Sequence, residues 1–153
     1  MRSLVIAVAL AGTAAESPPP PPAKPLVVVV NRVNPIAGLT RADLSRLFLG
    51  AATLFPNEVR VTLMNFVPER ARFYKAALGM SEDRVRRHWI SLVFAGETAR
   101  PPAEYLNEAE LLAAVAAMPG AIAFIPAGGP LPDNVKAIPI DGRRPGDPGY
   151  LLP

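Results

Sequence analysis

The polar residues Asn65, Glu69 and Arg70 follow an apolar segment at 59–64 and are the first candidates for binding chemistry. Pro68 suits the first position of a helix, so free N–H groups would lie beside Arg70. Those N–H groups and the positive end of the helix dipole attract anions. Glu69 opposes this, because a carboxylate in the first turn satisfies the same dipole and repels an anion. The pattern predicts a weak anion site, and an ordinary turn with a solvated arginine explains it equally well.

Asn34 is a further candidate ligand, in the loop after the Val-rich segment 26–31. Four consecutive valines show no alternation of apolar and polar residues, which predicts a central strand covered on both faces. Strands that alternate with helical patterns indicate a mainly parallel α/β sheet, in which ligands sit beyond the carboxyl ends of the strands. We therefore expect the loops 31–35 and 65–70 to lie at ligand-binding positions.

No set of residues predicts catalysis, a metal centre or a bound cofactor. The chain has no cysteine and one histidine, His88, which we interpret as a surface residue. These counts exclude disulfides, thiolate ligands and a cysteine nucleophile, and they leave little for a histidine-rich metal site or a Ser/His/Asp triad. A Gly-rich phosphate loop with a lysine and a Gly-x-Ser-x-Gly motif are also absent from the sequence. We expect a protein that is not an enzyme.

The composition predicts one folded domain with a real core. The chain has 153 residues and 50% hydrophobic content, and 16 Lys+Arg against 13 Asp+Glu give a formal charge of +3. This size and apolar content are typical of a single globular unit. The cationic excess is too small to imply a nucleic-acid partner.

Four helical patterns and four strand patterns organise the chain after residue 25. Residues Val85, Trp89, Leu92 and Val93 fall on one face of the third helix, so we expect this face, and Trp89 above all, to be buried against the sheet. The predicted fold class is α/β, a single lobe with a mainly parallel central sheet and helices on both faces. The predicted strands are 26–31, 58–65, 121–125 and 135–140, and the predicted helices begin at Thr40, Pro68, Ser81 and Asn107.

The N-terminus has the pattern of a cleavable signal peptide. Arg2 supplies a positive charge, residues 4–11 an apolar stretch, and 13–15 the small residues that signal peptidase prefers. We expect a signal peptide at 1–15 and a periplasmic mature protein.

The remaining segments complete the predicted domain organisation. Residues 16–25 form a Pro-rich linker, because five consecutive prolines favour an extended polyproline II spacer. Residues 26–142 form the folded domain. The segment 143–153 is predicted to be an extended tail, anchored by Tyr150 and Leu151.

Several motifs, taken in order, resemble the phosphate solute-binding proteins of ABC transporters, within the periplasmic binding protein superfamily. The similarity covers nearly everything from Leu26 to Tyr150. It implies the fold of one periplasmic-binding-protein lobe, phosphate or another small anion as ligand, and a membrane transporter as partner. The segments that carry the resemblance are the Val-rich strand ending in Asn31, Asn34-Pro35, Leu39-Thr40, Leu47-Phe48-Leu49-Gly50, Phe73–Gly79, Trp89–Gly96, Pro119-Gly120-Ala121-Ile122, Pro132–Lys136 and Ile140-Asp141-Gly142.

Two departures from that family limit the function that the resemblance implies. The family has an arginine followed by a Ser-Gly-Thr phosphate cradle where this chain has residues 65–71, and no cradle residue is present. The family's proteins close two lobes on the anion, whereas about 130 mature residues provide one. We therefore expect at most weak phosphate binding by a monomer, or a weak homodimer whose facing 65–70 loops close the site. The alternative is a periplasmic accessory module that contacts a transporter, receptor or sensor and binds no small ligand.

Overall fold

The computed structural model describes residues 12, 18, 19 and 23–153. The predicted signal peptide, apart from residue 12, and half of the predicted linker lie outside the described residues. The described chain forms strands β1 (Leu26–Asn31), β2 (Thr62–Phe66), β3 (Ala103–Tyr105), β4 (Ala121–Pro126) and β5 (Val135–Ile138), and helices α1 (Arg41–Phe48), α2 (Arg70–Phe73), α3 (Glu82–Phe94) and α4 (Glu108–Ala117). A 3₁₀ turn at Val67–Glu69 precedes α2, and a π-helical turn at Tyr74–Leu78 continues it.

The five strands form one sheet in the order β3-β2-β4-β1-β5. β2 is parallel to β3 and to β4, whereas β1 is antiparallel to both of its neighbours, β4 and β5. Four strands therefore run in one direction and β1 alone is reversed. The predicted α/β lobe with a mainly parallel sheet is confirmed, and β1 and β4 are both interior, as their unbroken apolar sequences indicate.

The reversal of β1 separates the two loops that were expected to bind ligands. Val30 pairs with Ile122 near the start of β4, and Leu63 of β2 pairs with the same residue. Asn31 is therefore level with the beginning of β2, whereas Asn65 lies near its end. Because the chain direction of β1 is opposite, its carboxyl end lies at the other end of the sheet, and the loops 31–35 and 65–70 cannot form one site.

Helices cover both faces of the sheet. Phe124 of β4 contacts Phe48 of α1 and stacks on Phe73 of α2, with ring centroids 3.9 Å apart in the stacked pair. Asn31 projects from the opposite face, because it alternates with Val28 and Val30, which share the Phe124 face. On that opposite face Asn31 Nδ2 donates to the carbonyls of Val115 and Ala116 and so satisfies the carboxyl end of α4.

The predicted start of α1 is confirmed in its atomic details. Asp43 N donates to Thr40 Oγ1 over 3.1 Å, and Thr40 N donates to Asp43 Oδ2 over 3.3 Å, which is a capping box. Burial acts to raise the pKa of Asp43, but the hydrogen bonds with Thr40 and the charge of Arg46 outweigh it, so the pKa of Asp43 lies below its usual value. The ionised carboxylate is thus the form that holds the helix start together.

The C-terminal segment 143–153 packs back onto β1. The sequence predicted an extended tail, but the segment forms consecutive turns, closed by hydrogen bonds such as Tyr150 N to Asp147 O. Leu26 N donates to Leu152 O over 2.9 Å, and the Tyr150 hydroxyl donates to Leu26 O over 2.7 Å. Tyr150 is an anchor, as predicted, and the second anchor is the buried Leu152 rather than Leu151. These turn residues favour chain reversal because glycine and proline recur in them.

Within the described part of the chain, no helix has both the length and the apolar character that crossing a membrane requires.

Tyr150 predicts a specific loss of stability at alkaline pH. Burial raises the pKa of Tyr150 to about 12, against about 10 for an unfolded tyrosine. The folded state therefore keeps this proton where the unfolded state loses it, so the contribution is complete below about pH 10 and is lost as the pH rises toward 12. Urea unfolding should show a decline of up to about 1.4 kcal/mol per pH unit in that window that Tyr150→Phe lacks. An identical decline in the variant would contradict the anchoring role, and Tyr105→Phe is the control.

Candidate functional site

A cavity of about 470 Å³ lies beside the carboxyl-terminal half of β2, between α3 and the connector that leads to β3. Its floor is polar and its outer wall is apolar. The floor comes from β2, α2, the π-helical turn, the first turn of α3, and β3: Asn65, Arg70, Tyr74, Glu82 and Glu104. The wall comes from α3 and the connector, with Trp89, Ile90, Val93, Phe94, Pro101 and Pro102.

Arg70 is the central charge of the cavity, and it is already paired. Its Nε lies 2.7 Å from Glu82 Oε1, and its Nη1 bonds to Glu104 Oε1. The side chain of Arg70 is 24% exposed. The hydrogen bond with Glu82 raises the pKa of Arg70, burial opposes this, and the charges of Glu104 and Glu82 raise it further. The guanidinium therefore stays charged, with two carboxylates as its present partners.

The cavity as a whole carries no net formal charge. Arg86 also lines it, so two arginines stand against Glu82 and Glu104. An unpaired Arg70 would attract an anion. Here Glu82 and Glu104 lie within hydrogen-bond distance of the guanidinium and cancel that attraction locally.

Asn65 and Tyr74 form a buried polar pair beneath Arg70. Asn65 Nδ2 donates to the Tyr74 hydroxyl over 2.5 Å, and both residues are buried. Burial raises the pKa of Tyr74, while the hydrogen bond from Asn65 and the charge of Arg70 act to lower it. The Tyr74 hydroxyl therefore stays protonated and can donate its proton to another acceptor. Asn65 Oδ1 has no hydrogen-bond partner among the described residues. A ligand with both a donor and an acceptor would suit this pair.

Trp89 forms the base of the apolar wall. It is 5% exposed, which confirms the predicted burial, and its ring covers Gly50 at the end of α1. Val93 was expected on the same buried face, but it is 56% exposed. The reason is geometric: α3 buries the narrow stripe of Val85 and Trp89, and residues on the side of Ile90 meet solvent.

The four residues predicted to bind ligands divide into two groups in the structure. Asn65 and Arg70 come together in the cavity. Glu69 does not line it, since its carboxylate turns to Arg72 Nε, 2.9 Å away. Asn34 lies at the far end of the sheet, where its Oδ1 accepts hydrogen bonds from Asn57 Nδ2 and Ile36 N. Asn34 thus stabilises its own loop. Of the two loops that were expected to bind ligands, only 65–70 contributes residues to this cavity.

Sequence reasoning missed Tyr74, Glu82 and Glu104 as neighbours of Arg70. Glu82 has the position of a helix-start acid, for which the dipole is a sufficient explanation. Glu104 lies on the short strand β3, which is not among the four predicted strands. Parallel pairing of β2 with β3 places Glu104 beside Asn65. No local sequence pattern reveals that pairing.

His88 has a structural contact rather than a purely solvated position. Its Nε2 lies 2.7 Å from the carbonyl oxygen of Leu49, the residue that follows the last turn of α1. A ring N–H there satisfies one of the free carbonyls at the helix end. Among residues 12, 18, 19 and 23–153, no group of three or more potential metal ligands lies close together.

Comparison with solved structures identifies the fold. The chain superimposes on an ABC-type phosphate transport receptor from Vibrio cholerae with a TM-score of 0.62 at 20% identity, covering 80% of this chain and 48% of that one. The chain superimposes on PstS from Borrelia burgdorferi with a TM-score of 0.60 at 10% identity, covering 80% of this chain and 49% of that one. A third structure is a protein from Clostridium perfringens, described as a phosphate ABC transporter substrate-binding protein and solved with bound phosphate. Its TM-score is 0.63 at 14% identity, and the match covers 80% of this chain and 47% of that one.

The chain therefore has the fold of a lobe of phosphate ABC transporter substrate-binding proteins, as its motifs implied. It spans about half the length of those structures. No family model matches the sequence, and no curated protein matches it.

The contact of Gly50 with Trp89 predicts unequal effects for two alanine substitutions. Gly50 has φ +72°, and a Cβ there would lie 2.7 Å from Trp89 Cη2. Gly79 has φ +65°, and a Cβ there would meet nothing within 4 Å. Gly79→Ala should cost about 1 kcal/mol from left-handed strain alone, and Gly50→Ala at least about 1 kcal/mol more.

Urea unfolding measures both costs, and Trp89 fluorescence should change only in Gly50→Ala. Equal costs and unchanged fluorescence would contradict the close packing of Trp89 on Gly50.

Proposed function

We propose that this chain is an exported, non-enzymatic solute-binding-like domain that binds phosphate or a similar small anion weakly, through Arg70. The proposal rests on the fold shared with proteins described as phosphate receptors and on the position of Arg70 in the cavity beside β2. The observation that determines the expected strength is the pairing of Arg70 with Glu82 and Glu104.

A weak affinity follows from the interactions available to an anion. An anion that reaches Arg70 has to displace a glutamate or share the guanidinium with both. One exposed ion pair contributes roughly 0.2–1 kcal/mol, whereas micromolar affinity needs about 8 kcal/mol. The Tyr74 hydroxyl could add one hydrogen bond, worth about 1 kcal/mol. These contributions total at most about 2 kcal/mol, which corresponds to a Kd of tens of millimolar.

Removing the two carboxylates should strengthen phosphate binding. In the double variant Glu82→Gln/Glu104→Gln, Arg70 loses both competitors and the cavity becomes cationic. Since each exposed pair is worth up to about 1 kcal/mol, affinity should rise by roughly twofold to thirtyfold. Calorimetric titration with inorganic phosphate measures this, and Arg70→Ala should abolish the binding.

The matched control is Glu108→Gln/Glu110→Gln, which removes the same charge from the first turn of α4, where neither glutamate lines the cavity. It should leave phosphate affinity unchanged. Micromolar binding by the unmodified monomer would contradict the weak-site proposal. Unchanged binding in Arg70→Ala would remove Arg70 from the site.

A second candidate function is an accessory module that contacts a membrane transporter, receptor or sensor and binds no small ligand. The neutral charge balance of the cavity favours it, because Arg70 is already paired with Glu82 and Glu104, and Arg86 with Asp83. The neighbouring genes discriminate the two functions. Permease genes beside this one would favour solute capture, and a receptor or sensor gene would favour the accessory role.

Export makes a separate prediction about the mature N-terminus. The charged residue at position 2, the apolar stretch 4–11 and the small residues 13–15 predict cleavage near residue 15. Intact mass spectrometry of a periplasmic fraction should find a protein that begins near Glu16. Recovery of the full-length chain from the cytoplasm would contradict both export and the periplasmic location.

A further inference from the structure

Helix α3 has a second apolar stripe, which faces solvent. Val85 and Trp89 pack inward, but Ile90, Val93 and Phe94 are 47%, 56% and 87% exposed. Their spacing of three and four residues places them on one stripe of the helix. Among the described residues, the seven exposed large apolar side chains include these three, so the exposure is concentrated here. Such a concentrated patch is typical of an interaction surface.

The cavity beside this stripe is large enough to receive an aromatic side chain. Its outer wall contains Ile90, Val93 and Phe94 themselves, together with Pro101 and Pro102. Its volume of about 470 Å³ exceeds that of one phenylalanine side chain. The surface therefore presents a projecting ring, Phe94, next to a recess whose outer wall is apolar, and the ring and this wall are complementary to each other.

Charges of opposite sign lie at the two ends of the stripe. Arg86 and Arg87 precede it, and Glu97 follows the end of α3. Arg86 is paired with Asp83, whereas neither Arg87 nor Glu97 forms an ion pair among the described residues. These two unpaired charges flank the stripe, one before Ile90 and one beyond Phe94. An antiparallel pair of α3 helices would therefore place each Glu97 opposite an arginine, whereas a parallel pair would bring like charges together.

We propose that two copies of this chain associate through α3, packed antiparallel about a two-fold axis. Phe94 of each copy enters the cavity of the other, and Glu97 of each copy faces Arg87 of the other. The same patch serves both copies, which is the requirement of a two-fold interface. The inserted rings would cover Trp89 and the approach to Arg70. This inference goes beyond the proposed function and uses only the surface of α3, so it does not depend on anion binding.

Sedimentation equilibrium on the purified protein tests the association. The patch has three exposed large apolar side chains, far fewer than the about 20–30 residues a side of a standard interface, so we expect a micromolar dimer. The apparent mass should rise toward twice the monomer mass as concentration increases. Phe94→Asp should abolish the rise. The control is Val33→Asp, because Val33 is 76% exposed but follows β1 at the far end of the sheet, and it should dimerise normally.

Charge exchange tests the antiparallel arrangement. Glu97→Arg should weaken the dimer by roughly twofold to fivefold for each lost pair. Adding Arg87→Glu to that variant should restore the affinity in this arrangement alone. Failure of the restored charges to recover the dimer would overturn the antiparallel packing.

The single tryptophan reports the insertion of Phe94. Trp89 is the only tryptophan in the chain, and it lines the cavity. Its emission should change over the concentrations at which the mass doubles, because an inserted ring would contact the indole, and it should not change in Phe94→Asp. A mass that doubles with unchanged emission would overturn the insertion. A monomer at every concentration would overturn the dimer and assign the patch to a different protein or to a ligand. Phosphate calorimetry does not enter any of these readouts, so failure here is distinct from failure of the proposed function.

Discussion

The burial of β1 is the constraint on which the rest of the structure depends. Val27–Val30 are at most 7% exposed, and the strand is hydrogen-bonded on both edges, to β4 and to β5. A segment with four valines has no face that tolerates water, so helices must cover both faces, and the chain must supply two partner strands. The C-terminal turns contribute as well, since Leu152 and Tyr150 bond to the first residue of the strand. The N-terminal and C-terminal segments of the domain are thereby stabilised together.

The direction of β1 determines which polar residues form a site. Because β1 is reversed, Asn31 at its end and Asn34 in the loop after it lie at the opposite end of the sheet from Arg70. Both asparagines bond within the fold there: Asn31 satisfies the end of α4, and Asn34 bonds to its own loop and to Asn57. The parallel strands β2 and β3 bring Asn65 and Glu104 side by side at the other end of the sheet. Parallel strands are the ones whose carboxyl ends supply ligand-binding loops, and the cavity around Arg70 lies at that end.

The sequence predicted the elements better than their assembly. The unbroken apolar segments identified β1 and β4 as interior strands, and Thr40 with Asp43 identified the start of α1, because these signals are local. Strand direction is different: a valine-rich strand buried on both faces has the same pattern whether its neighbours are parallel or antiparallel, so the separation of Asn34 from Arg70 could not be predicted. β3 has three residues without an apolar pattern, and the partners of Arg70 come from 12 and 34 positions away in the sequence. The exposure of Val93 depends on which stripe of α3 meets the sheet, which its periodicity alone does not resolve.

The chemistry of the cavity is that of a neutral, partly apolar surface rather than of an anion trap. An anion trap needs unpaired donors and an excess of positive charge, and in this protein Glu82 and Glu104 supply the negative charge that a bound anion would otherwise supply. The two glutamates keep Arg70 in place without a ligand, so the half-buried guanidinium is not left without a counter-charge. With the charge balanced internally, the apolar wall of Ile90, Val93 and Phe94 still faces solvent at this end of the molecule. Interfaces between proteins characteristically combine aromatic residues and paired arginines with a depleted net charge, and this end of the sheet has all three features.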